Sequence, residues 1–123
     1  MSNEFKFAFE KLNIWQEVRK LSFEVYRDTK SFPKEEKFGL TNQMRRPSVS
    51  ICSNIAEGSS RTSSKDQAHF YQLSYRSLME LMNQIIIAND LEYLTNEKEN
   101  NYRLKVKKTA NMINALRKSR LNK

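Results

Sequence analysis

Chemistry at a protein site needs a reactive group and a second group placed to activate it, and this chain holds few of either. His69 is the only histidine and Cys52 the only cysteine. A zinc site draws on several cysteines or histidines, so neither residue supports one. His69 would act as a general base only with a nucleophile beside it. Next to Phe70 and Tyr71 on a long helix, a surface or interface role is the simpler reading. Cys52 falls on an apolar stripe with Ile55, where a free cysteine behaves as a small hydrophobe rather than as a thiolate. A di-metal site in a bundle core needs Glu-x-x-His pairs on two helices, which a single histidine cannot supply. Gly39 and Gly58 are the only glycines and lie too far apart for a phosphate-cradling loop. The expectation is a protein that is not an enzyme and carries no cofactor or metal.

Charge carries more information. The formal net charge is +8. From residue 103 onward the ionic side chains are Arg103, Lys105, Lys107, Lys108, Arg117, Lys118, Arg120 and Lys123, with no Asp or Glu among them, so the rest of the chain is balanced. An excess confined to one segment suggests a polyanionic partner, RNA or DNA. Arg103, Lys105, Lys107, Lys108, Arg117, Lys118 and Arg120 are the candidate phosphate contacts. The competing reading is a solvated helix end whose cations suit the helix dipole. A second group comprises Arg45, Arg46, Glu57, Arg61, Arg76 and Glu80. These are expected to form ion pairs across helices or subunits, although arginine forks also suit phosphate. Tyr71, Tyr75 and Tyr102 are expected to be partly exposed.

The elements that position these groups follow from how little punctuates the chain. Beyond the two glycines there are two prolines, Pro33 and Pro47. So few breakers imply long elements, and strands seldom exceed ten residues. Ile14, Val18, Leu21 and Val25 predict a helix over about residues 13–30, with Asn13 as N-cap. Phe32-Pro33 ends it. Leu40, Met44, Ser48, Ile51, Cys52 and Ile55 predict a second helix over about 40–57, kinked near Pro47. Gly58 suits a left-handed C-cap. Ser64 with Gln67, or Ser63 with Asp66, caps a third helix running to about residue 94. Its stripe is Phe70, Leu73, Ser77, Leu78, Leu81, Ile85, Ala88 and Leu91. After a turn and cap at Thr95-Asn96, a fourth helix runs to about residue 121. Val106, Ala110, Ile113 and Leu116 face inward, with Leu104 and Met112 at the margins. Short connections predict an all-α, antiparallel up-and-down four-helix bundle in a single domain over residues 1–123. Residues 1–11 form an N-terminal arm whose Phe5, Phe7 and Phe9 lie over the bundle or a neighbouring subunit. A lone cysteine, a start without signal-peptide character and no long apolar run predict a cytoplasmic protein without a membrane span.

Several phrases carry a resemblance. They are Phe9-Glu10-Lys11-Leu12-Asn13-Ile14-Trp15-Gln16, Phe32-Pro33, Glu36, Gly39-Leu40, Gln43-Met44-Arg45-Arg46, Ser50-Ile51 and Asn54-Ile55-Ala56-Glu57-Gly58. Arg61, Ser63, Phe70, Ser77, Glu80-Leu81 and Leu91-Glu92-Tyr93 continue the pattern. Over about residues 5–120 the chain resembles the bacterial 23S rRNA intervening-sequence proteins, also called S23-type proteins. Asn-Ile-Ala-Glu-Gly with Gln-x-Arg-Arg upstream is the most specific part. Pro47 departs from the family, which usually has a small helix former there, as does Cys52, where proline is common. The resemblance implies a four-helix bundle assembled as a homopentamer, without known enzymatic activity. Some members are encoded within insertions in 23S rRNA genes. A related branch, similar in its basic charge, serves as accessory protein to the reverse transcriptases of diversity-generating retroelements. Two functions follow as expectations: an oligomer that binds RNA or DNA through the basic fourth helix, or a scaffold that binds a partner protein such as a reverse transcriptase.

Overall fold

A computed structural model describes residues 4–122. Residues 1–3 and 123 lie outside the described residues, and with them the first part of the expected arm and the last cation of the basic segment, Lys123.

The described chain is helical apart from its connections. The helices are α1 (Asn13–Thr29), α2 (Leu40–Ser59), α3 (Ser64–Asp90) and α4 (Asn96–Leu121), with short 3-10 turns at Ala8–Lys11 and Lys34–Glu36. Each helix packs on its neighbour in sequence, and α4 returns to α1. Side-chain bonds fix the directions. Ser22 meets Ser48 while Arg45 reaches the Tyr26 carbonyl, so α1 and α2 run antiparallel. Ser74 donates to the Ile51 carbonyl and Gly58 abuts Tyr71, which sets α3 against α2. Arg117 meets Gln72 at one end and Asn89 meets Asn96 at the other, which sets α4 against α3. This is the all-α, antiparallel up-and-down bundle.

Apolar side chains at helical spacing from all four helices fill the core: Ile14, Val18, Leu21 and Val25; Met44, Ile51 and Ile55; Leu78, Leu81 and Ile85; Val106 and Ile113. The stripes on α1 and α2 are those expected. On α3 the expected stripe drifts. Tyr71 and Ser74 are buried where Phe70, Leu73 and Ser77 were expected, and Leu91 is exposed beyond the helix end. On α4, Tyr102 and Thr109 join the core, while Leu104 is 69% exposed. The expectation that Tyr71 and Tyr102 are partly exposed is corrected: they are 2% and 3% exposed. Tyr75 is half-buried.

Three helix ends differ from expectation. Asn13 is the first helical residue, and Leu12 takes the cap position without a side-chain bond. The Gln16 amide instead donates to the Glu10 carbonyl at 3.0 Å and ties the arm's turn to the helix start. α3 stops at Asp90 because Glu92 adopts a left-handed φ of 65°. Tyr93 N–H then donates to the Ala88 carbonyl at 2.9 Å and Glu92 N–H to that of Asn89 at 2.8 Å. That is the helix-closing pattern normally built on glycine. Gly58 is the third. It is not a left-handed cap but lies inside α2, which ends at Ser59. A Cβ there would fall 2.6 Å from Tyr71 Cε1 and 3.1 Å from Phe70 Cβ, so the glycine lets α3 approach. Of the two registers for the α3 cap, Ser63 holds: its hydroxyl accepts from Asp66 N–H at 3.1 Å. α2 passes through Pro47 without interruption. Proline leaves the Gln43 carbonyl without its helical donor, at a residue that is itself exposed.

Gly58→Ala separates helix propensity from packing. Propensity alone favours alanine by about 1 kcal/mol. The buried Tyr71 ring has no free space to yield, and overpacking costs about 1–3 kcal/mol. The expected outcome is net destabilisation by about 1 kcal/mol, read as a lower midpoint in thermal or urea unfolding.

Candidate functional site

The basic residues of α4 divide by the side chains opposite them. Asp28, near the end of α1, is 6% exposed. A buried carboxylate needs partners, and three donors converge on it. Tyr102 OH donates at 2.5 Å, Lys98 Nζ at 2.8 Å and Arg27 Nε at 3.2 Å. Burial alone would push the Asp28 carboxyl up, but bonds from Lys98, Tyr102 and Arg27 outweigh it and hold its pKa below the ordinary value. Burial and the adjacent Asp28 carboxylate push the Tyr102 hydroxyl upward, so it stays protonated and remains a donor. The seam continues down α1. Lys105 pairs with Glu24, and Lys108 with Glu17 at 3.3 Å. Thus Asp28, Glu24 and Glu17 on α1 face Lys98, Lys105 and Lys108 on α4. Beside the seam an open groove of about 610 Å³ is lined by Leu21, Phe23 and Thr109 among others.

Of the candidate phosphate contacts, Lys105 and Lys108 therefore belong to the seam, and Arg103 pairs with Glu99 at 2.7 Å within α4. Arg117 reaches only the Gln72 amide oxygen, at 3.4 Å. Arg120 folds back toward the Tyr71 phenol, and its Nε is buried without a partner among the described residues. Burial raises the Tyr71 hydroxyl pKa, with Arg120 opposing. Among the described residues, Lys107 and Lys118 are exposed and face no carboxylate within ion-pair distance.

The second group is not one cluster. Arg45 donates to the Thr29 hydroxyl at 2.8 Å and the Tyr26 carbonyl at 3.2 Å, and stacks on the Tyr26 ring at 4.7 Å. It binds the end of α1 rather than a carboxylate. Arg61 pairs with Glu57 at 3.5 Å and stacks on Phe70 at 4.5 Å. Arg46, Arg76 and Glu80 are exposed and line shallow grooves over α2 and α3, with Ser50 and Ser77 between them. No ion pair involves these three among the described residues.

His69 is exposed, with its ring beside Phe70. Cys52 is half-buried, and burial pushes its thiol up to about 11, which leaves almost no thiolate at neutral pH. Among the described residues, no three His, Cys, Asp or Glu side chains gather as a metal would require. Nor, among those residues, is any helix long and apolar enough to cross a membrane.

Reasoning from sequence missed the acidic face of the seam. Glu17, Glu24 and Asp28 recur at helical spacing, as do Lys98, Lys105 and Lys108, and two such stripes of opposite sign were a legible signal for antiparallel neighbours.

Fold and site together define a four-helix bundle whose last helix is bound to its first by a polar seam. Residues 10–115 match the 23S rRNA-intervening sequence protein family. The chain belongs to that family. It is also similar in fold to a crystal structure from Bacteroides thetaiotaomicron, a protein of unknown function from the S23 ribosomal protein family. The two share a TM-score of 0.76 and 16% identity over 85% of this chain and 98% of that one. No curated protein matches the chain in sequence.

Asp28→Ala leaves Tyr102 with a buried, unsatisfied hydroxyl and removes the charge that Lys98 and Arg27 serve. The expected cost is about 3 kcal/mol near neutral pH, the low end for breaking a buried charge pair, because both cations reach solvent. The folded-state pKa is depressed, so this contribution is complete above the unfolded value near 3.8 and fades as pH falls through the folded one. Urea unfolding across pH should show the gap between wild type and variant narrowing in acid, with the part due to the unpaired Tyr102 hydroxyl remaining.

Proposed function

We propose that this protein binds nucleic acid without catalysing a reaction, through the end of the bundle formed by the last turns of α4. The observation that carries this reading is the sorting of α4's charges. Apart from Lys107, the cations in its first half face carboxylates of α1 or α4 itself. Arg117 and Lys118 in its last turns face none among the described residues. Cations beside an internal carboxylate are partly neutralised and must exchange that partner for a phosphate, whereas unpaired ones keep their full attraction. The surface meant for a polyanion is thus shorter than the basic segment: Lys107, Arg117 and Lys118, with Arg120 at its edge.

A second reading concerns assembly. Arg46, Arg76 and Glu80 carry both signs on one exposed face of α2 and α3, and no ion pair involves them within the described chain. They would pair across a boundary between copies of this chain, in line with the homopentamer the resemblance implies. A scaffold that binds a reverse transcriptase or another protein would use the same assembly. Light scattering should give a mass of several chains, and a monomer at all concentrations contradicts this second reading.

The nucleic-acid reading is tested by two sets of substitutions. Lys107→Gln, Arg117→Gln and Lys118→Gln together should weaken binding to structured RNA and flatten its salt dependence by about two to three in log–log slope, close to one per lost contact. Lys105→Gln with Lys108→Gln should leave that slope nearly unchanged. Equal effects from both sets, or binding indifferent to salt, would overturn it.

A further inference from the structure

We infer that the N-terminal arm is a stacking platform for the bases of single-stranded nucleic acid. This rests on the nucleic-acid reading above and specifies the form of the ligand.

The arm carries a continuous ladder of rings. Phe5 and Phe7 meet edge to face at 5.1 Å between centroids, and Phe7 and Phe9 lie nearly parallel at 6.1 Å. Phe9 meets Trp15 edge to face at 5.0 Å, and the Arg19 guanidinium sits 5.3 Å from the Trp15 ring. The inner end is anchored on α1. The outer end is open: Phe5 is 80% exposed and Phe7 60%.

The backbone at Phe7 is nevertheless held. Phe7 N–H donates to the Glu10 carboxylate at 2.8 Å, and Glu10 N–H donates back to the Phe7 carbonyl at 3.0 Å. Polar bonds hold the arm in place without burying its outer rings, so the rings are displayed to solvent in a preset order. Phe7 and Phe9 also form one wall of an open groove of about 550 Å³ whose other wall is the last turns of α2.

Charge selects the occupant. Lys6 stands between Phe5 and Phe7, Lys11 follows the turn, and Arg19 ends the ladder. Three carboxylates lie among them: Glu4 beside Phe5, Glu10 holding the Phe7 N–H, and Glu57 on the α2 wall, where Arg61 pairs with it. Beyond them, α4 brings Arg117 and Lys118 to this same end of the bundle, as the Arg117–Gln72 contact shows. Rings at an end where cations outnumber carboxylates match a ligand that has a flat apolar face and one anionic group per unit. An unpaired nucleotide strand has both. In a duplex the base faces are already stacked, so a duplex gains from the cations alone.

The experiment is fluorescence anisotropy at low salt with a short labelled oligouridylate and with a duplex of equal length. It uses the wild type and a Phe5→Ala, Phe7→Ala variant, with the mass of each followed by light scattering. Because both rings are exposed, the variant should unfold at the wild-type temperature. The single strand should bind more tightly than the duplex and perturb the fluorescence of Trp15, the only tryptophan. The variant should lose about tenfold or more on the single strand and nothing on the duplex. A variant that binds the single strand as the wild type does overturns the inference. So does one whose mass falls, with binding lost only in step, for the arm is then a contact between copies. If duplex and single strand bind the wild type equally, the stacking inference fails and the nucleic-acid reading stands. If neither binds, that reading fails too.

Discussion

A carboxylate buried at the junction of the first and last helices constrains the rest of this bundle. Asp28 cannot remain charged in the interior without donors, and Tyr102, Lys98 and Arg27 supply them. Two of the three stand on α4, so the requirement fixes where α4 begins against where α1 ends. Packing alone would fix this weakly. Elsewhere the bundle is closed by apolar side chains and by the glycine at position 58, but α1 and α4 touch sparingly and leave an open groove between them. The pairs of Glu24 and Glu17 extend the constraint, although pairs with exposed lysines contribute little each. The buried member sets the geometry, and the outer pairs follow it.

That constraint reorders the meaning of the basic helix. In sequence, α4 from Arg103 onward is one acid-free run, and every cation in it has the same claim on a polyanion. In the fold, the cations near its start complete the seam, and those near its end extend past the carboxylates of α1. One helix thus does two things along its length, closing the bundle and then carrying positive charge at the end where the aromatic arm also lies. The neighbourhood of arm and charge follows from the antiparallel topology: α1 starts where α4 finishes.

The fold was largely legible because its signals are local. Breakers are few, the stripes on α1 and α2 keep helical spacing, and Ser63 and Thr95 have the side chains that cap helices. The misses share a cause, which is dependence on a partner remote in sequence. Gly58 has the look of a helix terminator and is instead a point of close approach to Tyr71. Glu92 occupies a left-handed position for which glycine is the usual signal, so the end of α3 was hidden. Tyr102 has a polar tip that suggests exposure, and only the opposite Asp28 explains its burial. The candidate site was legible in residue type but not in availability. Nothing within α4 distinguishes Lys105 from Lys118, because the difference lies on α1.

The central claim is that the seam occupies the first half of α4 and leaves its last turns to the ligand. The most direct test is an NMR titration of the assigned protein with a short single-stranded RNA at low salt, following the backbone amides of α4 and α1. The account predicts shifts concentrated in the last turns of α4, around Arg117 and Lys118, and along the arm up to Trp15, with Lys105, Lys108, Glu17 and Glu24 unmoved. Shifts centred on the seam residues, with the last turns of α4 silent, would contradict it.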